Sequence, residues 1–220
     1  MIQPDKIIRS NRKTLSVCID PLGVVTVRAP KRCSDERIFS FLREKEGWIL
    51  RTVEKTKGAG MRLPPENLDG YEFLLLGKTT KIFLTQEKKI AYNAEENRLF
   101  LPCERAAERL KKWLKENAQR IFAEETERKA AEMGVEYSSV SVTSAKTRWG
   151  SCSYHNKIHY SFRLLYAPKE VVEYVIVHEL AHVKYKNHSP YFWAFVEKFV
   201  PDWKSKRKWL KEHGILMGIF

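Results

Sequence analysis

Cysteine is scarce and scattered. Cys18, Cys33, Cys103 and Cys152 form no CxxC pair, which argues against both a thiolate zinc knuckle and a secreted disulfide framework, so reduced thiols are expected. No apolar run approaches the ~20 residues that a membrane span requires. The opening Met1-Ile2-Gln3-Pro4-Asp5-Lys6 lacks a basic segment leading into an apolar stretch, so a soluble, cytoplasmic protein without membrane association is expected. Internal repeats and low-complexity tracts are also missing, and no basic block stands out. The 40 Lys and Arg against 27 Asp and Glu give a net charge of +13 that is spread along the chain. A spread excess argues against a dedicated nucleic-acid reader and leaves a weak electrostatic association with nucleic acid or acidic proteins. What is present is ordinary globular material: 220 residues, 43% hydrophobic and 30% charged. That composition excludes disorder, collagen and coiled-coil fibre, and the length allows one large or two small domains.

Residues 13–20 and 24–28 alternate apolar and polar side chains around Pro21-Leu22-Gly23, which predicts a β-hairpin. A helix follows, capped by Ser34 and favoured at its start by Asp35 and Glu36, with Ile38, Phe41, Leu42, Trp48 and Ile49 at helical spacing. Gly58, Gly60 and Pro64-Pro65 mark a loop. Short strands are predicted at 71–76, 80–85, 89–92 and 98–101, then a long helix over 104–133 that Gly134 terminates. Strands at 139–143 and 157–166 flank the turn-rich Arg148-Trp149-Gly150-Ser151-Cys152-Ser153. Pro168 opens a helix running to about residue 186, Ser189-Pro190 opens another, and Pro201 separates that one from a basic C-terminal helix.

The chemistry concentrates in His178-Glu179-Leu180-Ala181-His182, followed by His188. Residues four apart lie about 40° apart around a helix and ~6 Å along it, so both imidazoles can address one ion. Zinc accepts neutral imidazole, and a catalytic zinc uses three protein ligands with a fourth position for water. On a straight helix His188 would lie roughly 120° around the axis from His182 and point elsewhere. A break is therefore needed, and Asn187 in a left-handed conformation followed by Ser189-Pro190 would supply it. Glu197 on the next helix is the alternative third ligand. The apolar Val171, Val172, Tyr174, Val175, Ile176 and Val177 predict a buried helix, in which Glu179 would be a costly charge without an ion nearby. His155, His159 and His213 have no such spacing.

With zinc in place, the expected reaction is peptide-bond hydrolysis by a metal-activated water with Glu179 as general base. The oxyanion needs a further stabiliser, for which Arg148, His159, Arg163, Tyr166 and Tyr191 are available. Arg148, Arg163 and Tyr166 are taken as substrate-binding candidates.

The stretches Thr147–Ser153, Phe162–Pro168, Tyr174–His182 and Asn187–Trp193 together resemble the YgjP-like zinc metallopeptidase family, specifically over residues 139–200. Arg12-Lys13-Thr14, Val27-Arg28-Ala29-Pro30 and Leu76-Gly77-Lys78 are compatible with it. His188-Ser189-Pro190-Tyr191-Phe192 is also similar to the third-ligand segment of Spartan/SprT-type and WLM-type proteases, which act on proteins crosslinked to DNA. The spacing equals that of the metzincins, but Tyr185 stands where they carry glycine, and no Met-turn follows. The resemblance implies His178, His182 and His188 as ligands of one Zn2+ per chain and Glu179 as catalyst. It also implies a gluzincin-like fold in which an edge strand, here residues 157–166, pairs with extended substrate. Arg148–Ser153 is read either as functional or as a packing turn beside the site.

The expectation is an α+β protein: a β-rich region with one helix over residues 1–103, then a zincin-like zinc metallopeptidase domain over 104–220 whose long helix packs beside the active-site H-E-x-x-H helix. Its partner is a protein or peptide substrate. The rival expectation is a DNA-associated factor with a structural zinc, or a peptidase acting on nucleic-acid-bound proteins.

Overall fold

The computed structural model describes residues 3–19, 24–58 and 67–214. The chain forms two compact units that divide between residues 63 and 64.

In the first unit, β1 (Lys6–Ser10), β2 (Ser16–Ile19) and β3 (Val25–Pro30) form a sheet of order β1-β3-β2, followed by α1 (Asp35–Gly58). Val25, Val27 and Ala29 alternate onto one face of β3 and meet Ile38, Leu42 and Ile49 of α1, forming the unit's core. Ser34 caps α1 through Oγ, which accepts from the Arg37 amide at 3.4 Å. The two strands of the expected hairpin pair antiparallel, while Pro21-Leu22-Gly23 lies outside the described residues, as do Gly60 and Pro64-Pro65 of the expected loop. Strand β1, parallel to β3, was not expected. All five of its residues are exposed, so it carries no apolar alternation to detect.

The second unit begins with β4 (Glu72–Leu75), β5 (Lys78–Thr85), β6 (Ala91–Asn93) and β7 (Arg98–Pro102), in sheet order β4-β5-β7-β6. Then come α2 (Ala106–Met133), β8 (Ser139–Thr143), β9 (Gly150–Cys152), β10 (Lys157–Ser161), a 3-10 turn (Phe162–Tyr166), α3 (Lys169–Lys184), α4 (Pro190–Phe199) and α5 (Trp203–Glu212). The division expected at 103/104 is therefore displaced. The four-stranded sheet is tied into the second unit because the Leu76 amide donates to the Leu165 carbonyl at 2.6 Å and Phe73 packs edge-on against Tyr166. Gly77 makes that junction possible: its φ is +82°, and a Cβ there would stand 3.0 Å from Pro168 Cα.

Helix α2 ends at Gly134 in the left-handed conformation. It packs along α3 as expected, with Lys129 Nζ 2.5 Å from Glu173 Oε1. The three-stranded sheet has order β8-β10-β9. Strand β10 is thus central, not the edge strand expected at 157–166, and beyond Ser161 that segment turns into the 3-10 helix. The edges are β8 and β9, each pairing only with β10 among the described residues; Gln119 of α2 bonds the β8 backbone at Val140 and Val142.

Candidate active site

Helix α3 is apolar nearly all round and buried through Val171, Val172, Tyr174–Val177, Leu180 and Ala181. That burial fixes its rotation and turns His178 and His182 to one face. The helix ends at Lys184. Tyr185 adopts extended backbone at φ −124°, so the break precedes Asn187, which is not among the residues with positive φ. Ser189 then caps α4, its Oγ accepting from the Phe192 amide, with Pro190 in the first turn. Between the two helices the chain carries His188 back to the face of α3.

The three histidines converge: their candidate ligand atoms all lie within 4.8 Å of one another. Nε2 of His178 and Nε2 of His188 face each other at 3.1 Å. Tetrahedral zinc with Zn–N distances of ~2.0–2.1 Å spaces its nitrogens by about 3.3 Å, so this pair fits one shared ion. His182 Nδ1–H donates to the Tyr185 carbonyl at 3.0 Å, which leaves Nε2 free for a ligand bond. His178 Nδ1 is buried without a hydrogen-bond partner among the described residues. Phe192, fully buried, lies against all three rings at centroid distances of 4.6–4.9 Å. Trp193 stacks on His188 at 5.5 Å and on Trp203 at 4.1 Å. Glu197 is exposed and outside the cluster.

Electrostatics favour the metal-binding form of each ring. Burial, reinforced by the neighbouring imidazoles and Arg207, pushes His178 down to about 3. Burial also lowers His182, and burial with the Arg207 charge lowers His188. All three are neutral at pH 7, as imidazole ligands must be. Glu179 is 5% exposed, and burial pushes its carboxyl up to about 8, against an opposing pull from Arg148. A dication beside it would favour the carboxylate.

Gly150 of β9 meets Glu179 directly. A Cβ there would fall 2.6 Å from Glu179 Oε1 and 2.8 Å from Cγ. Within Arg148–Ser153, Gly150–Cys152 is therefore an edge strand rather than a turn, and its Gly150 lies against the general-base candidate. Arg148 is exposed and lines a pocket with Gly150 and His159. Tyr191 is 75% exposed on α4. The other two substrate-binding candidates are placed elsewhere. Arg163 is fully buried, its Nη1 donating to the Ser144 carbonyl at 3.0 Å, and Tyr166 is buried against Phe73, so neither presents a surface to substrate. Arg163 instead fixes the loop leading to β9.

Sequence reasoning passed over Gly150 as a contact residue and Arg207 altogether. The Arg207 guanidinium lies 5.2 Å from the Trp193 ring centre, beside the histidines. Nothing in a basic C-terminal helix distinguishes it from its solvated neighbours.

Against known proteins, the family description "YgjP-like, metallopeptidase domain" matches residues 13–213. Among solved structures, the crystal structure of the metallopeptidase zymogen of Pyrococcus abyssi abylysin is similar at 24% identity, covering 41% of this chain and 93% of that chain, with a TM-score of 0.38. No curated protein matches at a significant level.

Proposed function

The chain belongs to the YgjP-like metallopeptidase family, and on that premise we propose that it hydrolyses peptide bonds with one zinc ion held by His178, His182 and His188 and with Glu179 as general base. The observation that carries this reading is the convergence of three neutral imidazoles, two from α3 and one from the elbow after it, with the buried Glu179 next to His178 in the same helix. The three histidines offer three donors, as catalytic sites do, where closed structural sites use four, which supports the enzyme over the structural-zinc rival.

Bound zinc lowers the pKa of a coordinated water toward ~7 and polarises the substrate carbonyl. Glu179 accepts a proton from the attacking water and passes it to the departing amine nitrogen as the C–N bond breaks. Gly150 leaves room for that carboxyl, and Tyr185 holds the His182 tautomer that presents Nε2. The free edge of β9 receives the extended substrate by main-chain pairing, which makes binding tolerant of sequence.

The test is Glu179→Gln. The variant should keep its metal, measured by plasma mass spectrometry, and lose cleavage of an unfolded protein substrate by at least about 10²-fold. Cleavage at the wild-type rate would contradict the mechanism.

A further inference from the structure

The sheet β8-β10-β9 has two unlike faces. Ile158 and Tyr160 point to the helices: both are fully buried, and Tyr160 lies against Phe122 and 3.2 Å from the Thr126 hydroxyl. Gly150 pairs with Tyr160 and shares that face, where it meets Glu179. The opposite face is polar. Ser141, His159 and Ser151 form one row across the three strands, and Thr143 with Ser161 forms the next.

Over these rows lies a cavity of about 350 Å³, lined by Thr143, Ala145, Arg148, Ser151, His159 and Ser161 and reached also by Gly150. Its construction is asymmetric in charge. Arg148 is the one charged residue lining it and no carboxylate does; its charge also acts on the Glu179 carboxyl behind Gly150. The floor is fixed: Ser161 Oγ donates to the Ala145 carbonyl at 2.8 Å, and His159 Nδ1 lies 2.6 Å from Ser141 Oγ, leaving Nε2 available. The Arg163 contacts to Ser144 and Ala145 hold the wall from behind.

A peptide added to the edge of β9 must alternate its side chains between the two faces of the sheet. Residues on the Gly150 face run toward Glu179, and those on the Ser151 face run toward the cavity. We propose, building on the peptidase reading, that this cavity is a specificity pocket for an acidic side chain of the substrate, with Arg148 as the charge partner and Ser151 and His159 as hydrogen-bonding groups. A guanidinium pairs with a carboxylate by two parallel hydrogen bonds. Lysine would meet a like charge. The spread net charge of +13 draws the same class of substrate from a distance.

Binding without turnover tests this separately from hydrolysis. Zinc-loaded Glu179→Gln chain is titrated into fluorescent peptides of neutral sequence in which a single Glu, Gln or Lys is moved along the strand. At one position Glu should bind about tenfold more tightly than Gln at low salt, and Lys more weakly than either. Arg148→Gln should make Glu and Gln peptides bind alike at that position, and Arg148→Glu should reverse the order of Glu and Lys. Absence of any position preferring Glu, or a preference that survives Arg148→Gln, overturns the proposal. Failure of the peptidase reading would show instead as lack of cleavage by the wild-type chain.

Discussion

Gly150 leaves no room for a Cβ beside the Glu179 carboxyl, and the steric argument is direct. Any side chain at 150 would overlap the carboxyl, 2.6 Å from Oε1 and 2.9 Å from Cδ, and the buried α3 backbone cannot retreat. Gly150→Ala should therefore leave metal content unchanged and lower kcat on the order of 10²-fold, since displacing a reacting group by about 1 Å costs that much. Unchanged kcat would show that the carboxyl does not work where it sits. The same carboxyl sets a pH dependence. In metal-free protein its folded pKa of about 8 lies above the ordinary 4.5, so the folded state binds the extra proton. The stability this contributes is fully present below about pH 4.5 and is lost as pH rises through 8. His178 acts oppositely, because a folded value of about 3 below the ordinary 6.5 contributes stability that is present above pH 6.5 and lost as pH falls toward 3. Thermal unfolding of chelator-stripped protein should fall in midpoint from pH 6 to pH 9, and Glu179→Gln should flatten that decline. An equal decline in the variant would assign it to other groups. The histidines and Glu179 were legible from residue type and spacing alone, because two imidazoles four apart on one helix have few other uses. Gly150 was visible as a residue but not as a contact, since its role lies in what it lacks.

Among the elements, the elbow between α3 and α4 decides whether His188 reaches the other two rings. Ser189 anchors it by capping α4, so Ser189→Ala should cost roughly 1 kcal/mol, or about 2–4 °C in unfolding midpoint for a chain of this size. It should also weaken zinc retention in competition with a chelator. Stability and retention both unaffected would mean that other contacts place His188. The sequence made this elbow necessary without locating it: Asn187 suited a left-handed stop, whereas the helix ends earlier, at Lys184, with Tyr185 in extended backbone. Helix α3 was legible because its apolar residues leave no polar stripe, and α2 because Gly134 ends a long periodic run. Strand β9 was not, because three residues offer no measurable alternation. Edge and centre were exchanged for the same reason: the more strand-like residues of β10 sit in the middle of the sheet, where Ile158 and Tyr160 are buried, while the functional edge is short and small.

At the scale of the whole molecule, His178, Glu179, His182, His188 and Gly150 all lie in the second unit, to which the four-stranded sheet from residue 72 onward also belongs, joined through Leu76 and Gly77. Sequence periodicity describes elements one at a time and says little about which elements share a core, which is why the expected division fell at 103/104. Among the described residues no helix is long and apolar enough to cross a membrane. The spread charge of +13 supports a proposal of weak nucleic-acid association. Affinity for duplex DNA should be measurable at low ionic strength and fall steeply with salt, as counterion release requires. A fluorescence anisotropy titration that finds salt-independent binding would contradict a purely electrostatic origin. The central claim concerns the ion, and calorimetric titration of zinc into chelator-stripped protein tests it most directly. The account predicts uptake of about one ion per chain, abolished in His178→Ala and strongly weakened in His188→Ala, whereas protein that takes up no zinc, or takes it up undiminished in both variants, would contradict it.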